Sequence, residues 1–108
     1  MKTLIALLIS LNSFLSIDYF KYSDYKSFIL SEKDVDVNKD GIMEFKEVSL
    51  DFNRNNVPDT YASFPYVGNV MKDNAKYLGI DKNENNKADI VFIDTNDDGF
   101  FDTTQIYE

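Results

Sequence analysis

The sequence predicts one small domain of the α+β class, with helices toward the front, a short strand pair toward the end and acidic loops between them. Three observations carry this prediction. Apolar residues in the first part recur at spacings of three and four, a β-branched run in the last third stands between acidic clusters, and Asp and Asn recur at fixed intervals. With 108 residues and 44% hydrophobic content, the chain provides one core.

The first element is an uncharged segment, residues 3–17, which follows Lys2 and is apolar in every helical direction. It is short for a membrane-spanning helix and typical of the apolar centre of a secretory signal peptide. We therefore expect a signal peptide over 1–17, a mature domain over 18–108, and a secreted or periplasmic location. A buried core helix and an uncleaved membrane anchor are the alternatives.

Two helices are predicted next. Residues 18–32 place apolar and aromatic side chains three and four residues apart, and residues 44–52 place three of them on one helical side. Between 58 and 69 the pattern loses its period, and Pro65 and Gly68 interrupt it. This third stretch is expected to be an ordered loop.

The last third has strand character. Residues 90–93 form a β-branched and aromatic run bounded by Asp and Asn, and residues 77–80 resemble them. Residues 81–93 superimpose on 94–106 as a repeat of 13 residues. We therefore expect two similar loops that alternate with short strands.

The clearest acidic loop covers residues 36–47. Its polar residues occupy positions 1, 3, 5, 6, 9 and 12, and they are Asp36, Asn38, Asp40, Gly41, Glu44 and Glu47. Such a loop offers oxygens to a hard cation such as calcium, which takes six to eight of them. The carbonyl of Ile42 would serve at position 7, Glu44 directly or through water, and Glu47 with two oxygens. Gly41 allows the sharp turn with positive φ.

These residues resemble an EF-hand calcium loop over the whole of 36–47. The resemblance implies a calcium site of that ligand pattern. The flanks differ from the EF-hand, because Glu32 stands where the entering helix usually has an apolar residue and a new loop at Asp51 cuts the exiting helix short. A regular helix-loop-helix pair is therefore not expected.

Three further loops, 51–59, 81–89 and 94–102, repeat the first nine positions without an acid at position 12. They resemble the nine-residue core shared by thrombospondin type 3 modules and dockerins, although the longer loop is not duplicated as it is in dockerins. Their candidate ligands, with a backbone carbonyl at position 7, are Asp51, Asn53, Asn55, Val57 and Asp59; Asp81, Asn83, Asn85, Lys87 and Asp89; and Asp94, Asn96, Asp98, Phe100 and Asp102. More carboxylates bind calcium more tightly, so loop 36–47 should be strongest, 94–102 next, and the other two weakest.

The placement of acids argues for ligand loops. Eleven of the thirteen acids in these four windows stand on ligand positions, where chance would place about six. Position 3 is always Asn, and position 6 is always Gly or Asn, the residues that tolerate a left-handed backbone. The competing explanation is that Asp, Asn and Gly form turns without any metal.

Composition excludes several other functions. The chain has no Cys and no His, so thiolate, imidazole and ordinary zinc chemistry are absent, and no spacing selects a catalytic carboxylate pair. A net charge of −8 disfavours nucleic acid, and it disfavours membranes unless the N-terminal segment stays uncleaved. We expect an exported calcium-binding protein that is not an enzyme, with calcium mainly stabilising the fold.

The alternative is an extracellular interaction module, dockerin- or adhesin-like, with structural calcium and a protein or glycan partner. Its contact surface would be the aromatic cluster Tyr61, Phe64 and Tyr66.

Overall fold

The protein folds as one antiparallel β-sheet. The computed structural model describes residues 17–107. Two 3-10 turns are followed by seven strands: turns Tyr22–Asp24 and Lys26–Phe28, then β1 Ile29–Val35, β2 Phe45–Leu50, β3 Thr60–Val67, β4 Val70–Met71, β5 Tyr77–Ile80, β6 Ile90–Ile93 and β7 Thr103–Ile106. Within these described residues there is no α-helix.

The strands follow one another across the sheet in chain order, β1-β2-β3-β5-β6-β7, and the short β4 pairs with β3. Because every pairing is antiparallel, successive connections alternate between the two ends of the sheet. The near end carries 36–44, 68–76 and 94–102, and the far end carries 51–59 and 81–89. Each of these five connections is nine residues long.

One face of the sheet bears the core. Alternate residues of the strands point to this face, so Val48 and Leu50 of β2 are both buried. The segment before β1 covers them, and the rings of Phe20 and Tyr25 stack there with centroids 4.4 Å apart. The buried apolar residues are Ile17, Phe20, Tyr25, Val48, Leu50, Phe52, Ala62, Phe64, Ala75, Leu78, Ile80, Ile90 and Phe92.

The predicted α+β class with N-terminal helices is wrong, because the described chain is an antiparallel sheet. Residues 18–32 contain two 3-10 turns and the first part of β1, and residues 44–52 contain β2. The aromatic spacing in the first segment reflects burial along short turns, not a helical stripe. In residues 44–52 the buried residues Val48 and Leu50 are two positions apart, which is the period of a strand. The three-residue spacing of Phe45 and Val48 indicated a helix instead.

The predicted loop over 58–69 is also wrong, because most of it is β3, the longest strand. Pro65 favoured the prediction of a loop, because proline is rarely found in a central strand. Here β3 changes its neighbour from β5 at Ser63 to β4 at Tyr66. Proline has no backbone N–H, and Pro65 therefore lacks this donor at the point where β3 changes from one partner strand to the other.

The strands predicted at 77–80 and 90–93 are confirmed as β5 and β6. The 13-residue repeat is one nine-residue loop followed by one four-residue strand. The predicted signal peptide lies outside the described residues except for Ile17, which is buried in the core. Among the residues from 17 to 107, no helix is long and apolar enough to cross a membrane.

A close contact between β5 and the 81–89 loop gives a test of this arrangement. A Cβ added to Gly79 would lie 3.0 Å from the Cβ of Ala88. We expect Gly79→Ala to lower the free energy of unfolding by about 1–3 kcal/mol, as overpacking does. The pair Gly79→Ala with Ala88→Gly should recover most of that loss in urea unfolding. A double variant no more stable than Gly79→Ala alone would contradict the contact.

Candidate metal centre

Four of the five nine-residue connections share one backbone conformation. We name them loop 1 (36–44), loop 2 (51–59), loop 3 (81–89) and loop 4 (94–102). In each, positions 4 and 6 have positive φ. The position-4 residues are Lys39, Arg54, Glu84 and Asp97, and the position-6 residues are Gly41, Asn56, Asn86 and Gly99. Two left-handed residues separated by one other curl each loop inward around its own acids.

The carboxylate at position 1 accepts two backbone hydrogen bonds in every loop. In loop 1, Asp36 accepts the N–H of Asp40 at 3.2 Å and the N–H of Gly41 at 2.7 Å. The equivalent acceptors in loops 2, 3 and 4 are Asp51, Asp81 and Asp94. These bonds fix the position-1 carboxylate against the inside of the turn.

Positions 5 and 9 are fixed in the same way. In loop 1, Asp40 accepts the N–H of Ile42 at 2.8 Å, and Glu44 accepts the N–H of Val37 at 2.6 Å. The other position-5 acceptors are Asn55, Asn85 and Asp98, each bonded to the N–H of position 7. The other position-9 acceptors are Asp59, Asp89 and Asp102, each bonded to the N–H of position 2. The side chains of the predicted ligand positions 1, 5 and 9 thus each accept a backbone N–H of their own loop in all four loops.

Loop 1 is the one described loop in which three carboxylates converge. One oxygen each of Asp36, Asp40 and Glu44 lies within 4.8 Å of the others. Asn38 joins them, since its side-chain oxygen accepts the N–H of Asp40 at 3.3 Å. Positions 1, 3, 5 and 9 of the predicted loop therefore form one group.

Glu47 stands apart from this group. It lies within β2, opposite Lys33 of β1, and its carboxylate is 3.6 Å from the Lys33 ammonium group. The expected exiting helix would have carried position 12 back to the loop, whereas a strand carries it away along the sheet. The structure brings Glu44, not Glu47, to Asp36 and Asp40.

Loops 2 and 3 lie side by side at the far end of the sheet. The Glu84 carboxylate accepts the side-chain N–H groups of Asn53 at 2.7 Å and of Asn55 at 2.8 Å. The N–H of Asp81 also donates to the carbonyl of Asp59 at 2.8 Å. Sequence analysis missed Glu84, because position 4 is not a ligand position and only the strand order places it against loop 2.

Four of the loop carboxylates are buried: Asp51, Asp59, Asp81 and Asp94. Asp59 is 1% exposed, and its oxygens accept the N–H groups of Phe52 and Asn53 and the hydroxyl of Thr60. Burial raises the pKa of Asp59, although these hydrogen bonds oppose the rise. When burial raises the pKa of a carboxyl group in this way, a cation bound in the same loop stabilises its charged form.

Loop 4 differs from loop 1 because a lysine approaches it. The Lys76 ammonium group donates to Asp97 at 2.6 Å and to the carbonyl of Asp94 at 2.8 Å. The hydrogen bond that Lys76 donates to Asp97 raises the pKa of Lys76, so this lysine stays charged. At position 9, hydrogen bonds from Thr95 and Thr103 lower the pKa of Asp102.

The remaining predicted residues are separated by the fold. Asn83 and Asn96, at position 3 of loops 3 and 4, are exposed on opposite ends of the sheet. The three aromatic residues do not form one surface. Phe64 is 1% exposed and points into the core. Tyr61 is three residues away on the same strand, so its side chain points to the opposite face of the sheet. Tyr66 donates its hydroxyl to Asp34 at 2.5 Å.

Comparison of this chain with models of protein families, with curated proteins and with solved structures finds no match.

Proposed function

We propose that this protein binds calcium through its nine-residue loops, with loop 1 as the main site. The observation that carries the proposal is the convergence of Asp36, Asp40 and Glu44 in loop 1, whose oxygens lie within 4.8 Å of one another. The other three loops repeat the same hydrogen bonds from backbone N–H groups to the side chains of positions 1, 5 and 9. Turn formation alone explains an acid or an amide at position 1 of a loop. It does not need a second acidic group at position 9.

The donor chemistry favours a hard cation. Every predicted ligand atom is a carboxylate, amide or backbone oxygen, and calcium takes such ligands at about 2.3–2.6 Å. Two oxygens on opposite sides of calcium are then about 4.6–5.2 Å apart. The oxygens of Asp36, Asp40 and Glu44 all lie within 4.8 Å of one another, which is close enough for them to share one calcium ion. Magnesium demands a near-ideal octahedron at about 2.0–2.1 Å and loses its water reluctantly, so it suits an all-protein loop less well.

Carboxylate number ranks the four loops. Loop 1 offers Asp36, Asp40 and Glu44, and loop 4 also has three acids on positions 1, 5 and 9. Loops 2 and 3 have two each, because Asn stands at position 5. The charged Lys76 beside loop 4 opposes a second cation there. Loop 1 is therefore proposed as the tightest site and loop 4 as the next.

The proposed role of calcium is to stabilise the fold. Each loop joins two neighbouring strands and holds its acids close together, so the carboxylates of one loop repel one another. A divalent ion removes that repulsion and links both ends of a hairpin. We propose that calcium stabilises the sheet through the four loops that join its strands.

A matched pair of glutamates tests the site. We expect Glu44→Gln to weaken calcium binding to loop 1 at least tenfold, because it removes one of three converging carboxylates. Glu47→Gln should change the affinity by less than twofold, since Glu47 contacts Lys33 on the sheet. Isothermal titration with calcium, with magnesium as competitor, measures both.

Two results would overturn the proposal. One is the absence of calcium binding by the unmodified protein below about 1 mM. The other is a larger loss with Glu47→Gln than with Glu44→Gln, which would mean that the loop closes at position 12 in the EF-hand manner.

A further inference from the structure

A cavity of about 620 Å³ opens at the near end of the sheet. It lies between loop 1, loop 4 and the connection 68–76, which we name the near-end cavity. Its volume is within the range of about 300–1,000 Å³ that small ligands occupy. None of the ligand positions of loops 2 and 3 borders it.

One wall of the near-end cavity is apolar. Phe45 of β2 and Pro65 and Val67 of β3 line it, and Val67 is 60% exposed. The ring of Phe45 is held in place by Tyr77, with centroids 6.2 Å apart. This wall can cover the hydrocarbon part of a small ligand.

The lining of the cavity is acidic. Five acidic residues line it against two lysines, and these residues are Glu44, Asp73, Asp94, Asp97 and Asp98 with Lys72 and Lys76. The carboxylate of Asp94 is buried within loop 4. The excess of negative charge disfavours an anionic occupant and favours a cationic one.

Lys76 shows how this lining binds a cation. Its ammonium group, on a four-carbon stem, donates to the Asp97 carboxylate at 2.6 Å and to the Asp94 carbonyl at 2.8 Å. The chain thus already holds one alkylammonium group inside the cavity. Glu44 and Asp98 also line the cavity, and neither of them accepts one of these two hydrogen bonds from Lys76.

We infer that the near-end cavity binds an organic cation, an alkylammonium or alkylguanidinium group whose hydrocarbon part lies on Phe45, Pro65 and Val67. Glu44 of loop 1 and Asp98 of loop 4 line the same cavity and are the carboxylates proposed to bind the charged end. A free diamine and a lysine side chain of a peptide both carry this chemistry. The binding itself does not depend on calcium.

Competition with calcium follows, and this step rests on the proposed function. Glu44 is position 9 of loop 1 and Asp98 is position 5 of loop 4, so both would also bind calcium. Calcium and the organic cation should therefore weaken each other's binding by the same factor.

The test is a titration of the full chain with cadaverine in EDTA at 0.15 M salt, where general attraction to an acidic surface is screened. N-acetyl-lysine methylamide forms a second arm and distinguishes the peptide source from the free amine. We expect saturable binding of at least one probe, and at least a fivefold weakening by Val67→Ser or Glu44→Gln.

Two matched controls complete the experiment. Val70→Ser changes the same residue type on the same hairpin outside the cavity, and Glu47→Gln changes a glutamate on the sheet. Both should leave probe affinity within twofold. Equal weakening by the cavity and control variants, or no saturable binding of either probe, would overturn the inference. Probe binding in EDTA with no calcium binding in a separate titration would support the cavity and refute the calcium proposal.

Discussion

Calcium is expected to raise the melting temperature of this protein by roughly 10–20 °C when its free concentration is 100 times the dissociation constant of loop 1. Linkage converts that ratio into about 2.7 kcal/mol of added stability for one site. In a domain of this size, each kcal/mol corresponds to about 4–8 °C. Thermal unfolding followed by circular dichroism, with and without calcium, measures the shift.

The pair Asp36→Asn and Glu44→Gln should remove most of this rise, because it leaves loop 1 with the single carboxylate of Asp40. Magnesium at the same concentration is the control for general neutralisation of a net charge of −8. Equal stabilisation by magnesium and calcium would show screening of acids, not a calcium site. An unchanged melting curve, in protein shown by titration to bind calcium, would contradict a stabilising role.

Removal of the Phe64 ring is expected to have the largest effect of any single substitution proposed for this chain. Phe64 is 1% exposed, and its ring lies 5.4 Å from that of Tyr22 and 6.3 Å from that of Phe20. Phe64→Ala should therefore lower the free energy of unfolding by about 3–5 kcal/mol. Urea unfolding measures this as a lower midpoint.

Phe100→Ala provides the comparison. Phe100 is 52% exposed in loop 4, where its ring meets the edge of Tyr19 at 5.9 Å. Its removal should cost less than about 1 kcal/mol, as most surface substitutions do. A Phe64→Ala variant as stable as Phe100→Ala would mean that the segment before β1 does not cover β3 as described.

The sequence predicted the loops better than the sheet between them. Asp, Asn and Gly at fixed intervals are a local signal, and the windows 51–59, 81–89 and 94–102 are bounded by strands at both ends as their spacing implies. The window 36–47 was three residues too long, because its last residues belong to β2. The EF-hand likeness led to that extension.

The first half of the fold was mispredicted for a physical reason. Phe20 lies before the first 3-10 turn and Tyr25 lies between the two turns, and both are buried, so their spacing fits a helix by accident. The partners that make β1 a strand lie in β2, more than ten residues away at several positions. Strand pairing of this kind depends on tertiary context that no local window contains.

The contacts between different loops could not be predicted from the sequence either, because they also depend on the tertiary structure. Glu84 meets Asn53 and Asn55, and Lys76 meets Asp97, only because the antiparallel order puts alternate connections on the same end of the sheet. Position 4 is acidic in these two loops and basic at Lys39 and Arg54, but the loop pattern gives position 4 no ligand role.

The chain-order pairing of the strands has a consequence for how quickly the sheet forms. Every ladder except that of β4 joins strands separated by one nine-residue connection, so each hairpin closes over a short stretch of chain. Closing a loop of about ten residues takes about 10–100 ns, and a hairpin forms in about 1–10 μs. Strand pairs are made between neighbours in the chain, as at Ile29 with Leu50 and Ile90 with Ile106, and pairing over short separations speeds folding. The sheet can therefore grow strand by strand from any hairpin, without waiting for its two edges to meet.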